Sequence, residues 1–456
     1  MTLSYSRDQV LALAPDAASV KAAQKLLSVG KWSLLAHDPS AVWGECQGSG
    51  KKPYLVQVDR NGPAFKCSCP SRKFPCKHGL ALMLLLADQP AAFREAEAPA
   101  RVTDWLEARQ DTAKKKVERA RAQAEKPVDP KAQARRVKKR WVEMAAGLDD
   151  FELWLRDLVR QGLAALPGRD ADFWSEPAAR LVDAKAPGLA NWVRALQKVV
   201  RSAPDGWQRR VMAMAGQAYL LLRAFRRFDE LTPEEQADVR TALGWAVEKE
   251  AVLAGSNSES ESPGEGLREP MAVLGSSLTV RDRLRELRLW LRGTQTGRDA
   301  LVLEFAYGRQ PFELTWTAGT VQDLDLAFYP SRSPLRALVK ERHGDARPVD
   351  GLVGTRSIDT ALDQAAERLA ANPWIGRQPM GLCEVRLVPG EDRWRVVDGR
   401  GRCLGLHPKF KRSWELLAMS GGGAVDVFGE WRDEGFLPLS TWSDEGFRSL
   451  PHEEME

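Results

Sequence analysis

Cys67, Cys69, Cys76 and His78 fall within 12 residues as Cys-x-Cys, six residues, Cys-x-His, and no other feature constrains this chain so tightly. Thiolate and imidazole are the donors that zinc gathers into a tetrahedral shell. Four protein ligands then leave no position for water or substrate. A closed shell of this kind is structural, and its binding free energy, roughly 10–16 kcal/mol for comparable small sites, becomes folding free energy of the segment around it. The competing explanation is a buried group of free thiols with an incidental histidine. Three of only six cysteines and one of only five histidines stand in this window, which makes the metal the better account.

The flanking residues fit a strand-to-helix crossing. Ala41 to Cys46 and Tyr54 to Asp59 read as strands, joined by the polar, glycine-rich Gln47 to Pro53 as a hairpin loop. Pro70 ends any strand that continues through Cys67 and Cys69. Pro75 sets Cys76 at the mouth of an apolar helix from about Lys77 to Ala87, where the helix dipole favours a thiolate. Residues two apart on a regular helix point about 200° away from each other, so the helix is expected to become regular only near His78.

Cys-x-Cys-x(n)-Cys-x-His after a hairpin and before an apolar helix resembles the SWIM zinc finger. Ala41 to Tyr54 and Cys69 to Gly79 resemble the bacterial SWIM proteins in particular, and the rest of the chain is similar in layout to their long forms. The resemblance covers about residues 41–88 in its sharp part. It implies a ββα finger with Cys67, Cys69, Cys76 and His78 as the ligands of one structural zinc. It also implies a DNA-binding or protein-binding module without catalytic residues. Partners implied in the same way are a MoxR-type AAA+ ATPase and a von Willebrand factor A protein.

At 456 residues the chain exceeds one ordinary hydrophobic core. The expected organisation is α+β and multidomain. A zinc finger domain spans 1–106, a basic linker 107–146, a helical middle domain 147–252, a flexible linker 253–268, and a β-rich α+β C-terminal domain 269–456. The middle domain rests on the helical spacing of Phe151, Leu153, Trp154, Leu158, Leu163 and Leu166. Its Thr232-Pro233-Glu234-Glu235 reads as an N-cap with a first-turn proline and two acids. The second linker rests on the polar run Ser256 to Gly266. In the last domain Leu284 to Leu291, Leu301 to Phe305 and Leu324 to Phe328 alternate as strands, Ile358 to Ala371 reads as a helix, and Glu384 to Val397 as a hairpin. The N-terminus lacks a signal-peptide pattern, and Leu80 to Ala87 is too short to span a membrane. A soluble, cytoplasmic protein is expected.

Charge separates the two ends. Residues 1–140 hold 26 Lys and Arg against 14 Asp and Glu, whereas the remainder holds 41 against 48. A basic end suits a polyanion such as nucleic acid. The candidate phosphate contacts are Lys51, Lys52, Arg72 and Lys73 around the cysteines, and Arg135, Arg136, Lys138, Lys139 and Arg140 in the linker. Lys66 and Lys77 are better read as offsetting the thiolates, because zinc with three thiolates and a neutral imidazole carries a formal charge of −1. Other motifs fail. Gly48-Ser49-Gly50-Lys51 has Glu45 where a phosphate-binding loop needs glycine and Lys52 where it needs Ser or Thr, and His452 lacks the second histidine of a zinc protease helix. Asp323 and Asp325, with Glu304 or Glu313, are better read as a solvent-facing strand, and Cys46, Cys383 and Cys403 as structural. The expectation is a zinc-dependent nucleic-acid-binding protein and not an enzyme, the alternative being an adaptor for an ATPase system.

Overall fold

The computed structural model describes the chain apart from residues 1–6, 15, 16, 49, 51, 61–63, 72, 110, 112–129, 205, 246, 255–265, 309, 311, 445 and 456. Lys51, Arg72, residues 110 and 112–129 of the first expected linker and most of the second therefore lie outside the described residues. Two short helices, α1 (Arg7–Ala12) and α2 (Ala17–Gln24), open the chain. Strands β1 (Trp32–His37), β2 (Ala41–Cys46), β3 (Tyr54–Asp59) and β4 (Ala64–Cys67) form an antiparallel meander, and β5 (Arg94–Glu95) adds parallel to β1. Helix α3 (Lys77–Asp88) covers one face of this sheet and a helix over 100–109, α4, covers the other.

Burial on both faces explains why β2 has no polar side. Val42 faces α3 with Val56, Val58 and Phe65, while Ala41 and Trp43 face Val102 and Leu106 of α4. The expected hairpin of β2 and β3 is present with its register Ala41 opposite Asp59 through Cys46 opposite Tyr54. It belongs to a five-stranded sheet rather than to a lone hairpin and helix.

The helical region begins earlier than its apolar pattern suggested. Helix α5 (Pro130–Arg160) runs for 31 residues, so Lys131 to Arg140 are helical and Pro130 starts the helix instead of breaking it. Helices α6 (Asp172–Asp183), α7 (Pro187–Ser202), α8 (Trp207–Arg226) and α9 (Pro233–Leu243) pack with it around Leu148, Phe151, Leu155, Val193, Leu196 and Leu222. Gly147 is required where α5 crosses α6, since a Cβ there would stand 2.2 Å from Cβ of Ala184. The expected cap of α9 is a capping box, with Thr232 and Glu235 each accepting from the other's backbone N–H.

After α10 (Lys249–Ala254) the chain is mostly strands. β6 (Gly266–Arg281), β7 (Leu284–Gly293), β8 (Asp299–Tyr307), β9 (Thr320–Phe328) and β10 (Arg336–Pro348) form a sheet in the order β6-β7-β8-β10-β9, and β9 pairs back onto β6 to close a barrel. A second sheet combines β11 (Gln378–Val388), β12 (Arg395–Val397), β13 (Cys403–Gly405), β14 (Val425–Arg432), β15 (Gly435–Ser443) and β16 (Gly446–Ser449), with α11 (Ile358–Ala371) and α12 (Ser413–Met419) beside it. The final strand, β17 (His452–Met455), joins the barrel along β6. Trp290 of β7 donates to the fully buried Glu430 of β14 at 2.9 Å, and Arg288, Arg377 and Arg432 surround that carboxylate.

Polar contacts, one of them buried, tie the bundle to this β-rich part. Asp238 of α9 accepts from the Arg332 backbone N–H at 2.9 Å and from the Asn372 amide at 2.7 Å. Arg210 of α8 pairs with Glu434, which also lies 3.3 Å from His407 Nε2.

Candidate metal centre

Three local features bring the four donors together. Cys67 ends β4, Cys69 stands in the following turn, and Cys76 is the N-cap of α3 with His78 in that helix's first turn. The helix becomes regular at Lys77, one residue before His78. Gly79 lets α3 come close to β4, because a Cβ at that position would meet the Phe65 ring at 2.8 Å. The donor atoms of Cys67, Cys69, Cys76 and His78 all lie within 4.8 Å of one another. His78 Nδ1 faces Cys67 Sγ at 3.8 Å. A tetrahedral zinc shell, with Zn–S near 2.3 Å and Zn–N near 2.0 Å, places its ligand atoms about 3.5–3.8 Å apart. The donor set and its spacing fit one structural Zn²⁺, and among the described residues no other group of this kind occurs.

Electrostatics prepare the site. Cys76 is pulled down to about 4, chiefly because the Cys67 thiol donates to its sulfur, with further help from His78 and the Gly79 N–H at 3.5 Å. Cys67 is pushed up by that same donation and by burial, and Cys69 is pushed up by burial. These contacts favour the thiolate at Cys76, at the helix N-terminus, over Cys67 and Cys69. Two contacts were not legible in the motif. The Tyr54 ring lies 4.8 Å from the His78 ring and steadies it, and Phe74 packs edge-on against Phe65 at 6.0 Å. Tyr54 carried a signal only as the first residue of a strand.

The basic residues separate into groups. Lys52, Lys66, Lys73 and Lys77 are exposed on the segments that frame the cluster. Arg135 and Lys139 are exposed on α5, Lys139 lying 3.8 Å from Glu143, and Arg136 and Lys138 belong to the same helix. Arg140 has a packing role, its guanidinium 4.2 Å from the centre of the buried Trp245 ring.

The acidic and cysteine candidates do not form sites. Asp323 pairs with Arg268 at 3.3 Å, and Glu313 with Lys249 at 3.7 Å. Glu304 is buried on β8, where it accepts from the Leu314 N–H at 3.0 Å and the Trp316 indole at 2.6 Å. Cys46 is a core residue whose thiol is pushed up by burial, Cys383 is half-buried and Cys403 exposed.

A closed Cys₃His shell on a sheet-to-helix crossing, followed by a helical bundle, defines a structural zinc-finger protein. Residues 54–87 match the SWIM zinc finger, and residues 139–243 match the SWIM-associated four-helix bundle domain. The chain therefore carries a SWIM zinc finger and a SWIM-associated helical bundle domain. No curated protein and no solved structure matches it. No helix among the described residues is long and apolar enough to cross a membrane.

Proposed function

We propose that the N-terminal zinc module binds nucleic acid through its phosphates. Zinc holds the loop between β4 and α3 in shape and takes no part in chemistry, because its four protein ligands leave no open position. The observation that carries this reading is the exposure of Lys52, Lys66, Lys73 and Lys77 around the metal site, on a segment with 26 basic and 14 acidic residues in its first 140. Lys66 and Lys77 offset the net negative shell, which leaves Lys52 and Lys73, with Arg135 and Lys139 of α5, as phosphate contacts. No catalytic residues are assigned.

The test is binding of the zinc-loaded full chain to labelled single- and double-stranded DNA across a salt series. Duplex binding should weaken with a log–log slope of about 0.9 per phosphate engaged, and Lys52→Ala with Lys73→Ala should lower that slope by roughly two. Absence of binding at low salt overturns the reading. The adaptor alternative, with a MoxR-type ATPase or a von Willebrand factor A protein as partner, predicts instead a complex that persists at moderate salt and is indifferent to these lysines.

A further inference from the structure

The bundle contains a cleft of about 510 Å³ between α5, α6 and the 3₁₀ turn over Leu163–Gly168. Its floor is aromatic. Trp154 packs against Phe151 and Phe173, with ring centres 5.6 Å apart in each pair. Its rim is acidic, with Asp150, Asp170, Asp172 and Glu176 all exposed. Two of these carboxylates are already engaged. Asp170 accepts from the Phe173 N–H at 2.9 Å, and Glu176 lies 3.6 Å from Arg180. Asp150 and Asp172 make no hydrogen bond or ion pair among the described residues.

We infer that this cleft receives arginine or lysine side chains of a partner polypeptide. Aromatic faces attract cations, and neighbouring carboxylates attract them from the rim. The protein itself places one cation there, since the Arg169 guanidinium stands 5.0 Å from the centre of the Phe173 ring. The volume lies within the ordinary range for ligand sites and has room for more than one side chain. A second feature selects a peptide over a bare cation. Two rim carboxylates, Asp150 and Asp172, have no partner of their own among the described residues, and a cleft with room for more than one side chain lets one polypeptide present several cations to them. The inference stands apart from the nucleic-acid reading, because a carboxylate rim repels phosphate.

The experiment is fluorescence anisotropy of the full chain with a labelled short peptide of alternating Arg and Gly, beside the same peptide with Gln for Arg. The Arg peptide should bind and the Gln peptide should not. Asp150→Asn with Asp172→Asn should weaken binding about tenfold, as expected for two exposed carboxylates acting on one cation. Arg169→Gln should tighten binding by removing the resident competitor. Glu391→Gln with Asp392→Asn, on the distant turn before β12, should leave it unchanged. Both rim residues are exposed, so the thermal melt of the double variant should match that of the parent. Equal binding of the two peptides, indifference to both cleft variants, or competition by spermidine as effective as by the Arg peptide would each overturn the inference.

Discussion

Zinc uptake at the Cys₃His cluster should release about two protons per ion rather than three. The number follows from the sulfur arrangement. The Cys67 thiol donates to Cys76, which holds Cys76 down at about 4 as a thiolate, while Cys67 and Cys69 are pushed up and remain thiols. The thiol protons displaced when zinc binds are those two. The logarithm of the apparent zinc association constant should then rise by about two per pH unit between about pH 7.5 and 8.5. Competition against a chromophoric chelator measures the slope, and calorimetry in two buffers of different ionisation enthalpy counts the protons directly. Cys76→Ser removes one of four ligands. An even share of a site worth roughly 10–16 kcal/mol is about 3 kcal/mol, or roughly two orders of magnitude in affinity. Cys46→Ser, in the core but outside the cluster, should leave affinity unchanged. A slope near three would mean that Cys76 is an ordinary thiol and would refute the reasoning about its cap position.

Two further outcomes concern the β-rich part and its junction with the bundle. Glu430→Gln should destabilise the chain by about 3–5 kcal/mol in denaturant unfolding, because it leaves Arg288, Arg377 and Arg432 around a neutral group in a buried site. Asp238 is raised by burial from 3.8 to about 6, so its ionised form destabilises the fold by up to about 3 kcal/mol above pH 6, and that penalty disappears as pH falls below 3.8. Asp238→Asn should therefore raise stability at pH 7.5 and change it little at pH 4; equal effects at both would sink this account.

The zinc ligands were legible because their chemistry is local: four donors in 12 residues need no tertiary knowledge to be grouped. The hairpin of β2 and β3 and helix α11 were legible for the same reason, each carrying its own turn or cap signal. Strands β1 and β4 were not. β4 is only four residues long and ends at the ligand Cys67, and β1 ends at the polar His37. The start of β6, Gly266 to Arg268, fell inside a stretch read as linker, because it adjoins the polar run from Ser256. Its partner Ala327-to-Leu324 edge of β9, far away in sequence, is what orders it. Arg140 illustrates the limit for site residues. Its charge was plain in the sequence, but the Trp245 ring that receives it lies on the other side of the bundle's chain path.

The two proposed surfaces differ in sign, and this decides how they are separated. The zinc module offers lysines around a closed shell, and the bundle offers carboxylates over aromatic rings. The two ligands are of opposite charge, so neither can occupy the other's surface. Raising salt weakens both contacts, because both are exposed and screened over about 8–10 Å. Salt dependence alone therefore cannot assign a partner to either surface. Variants can, with each ligand tested by itself because the Arg peptide would bind DNA directly: Lys52→Ala with Lys73→Ala should weaken only DNA binding, and the cleft variants should weaken only peptide binding.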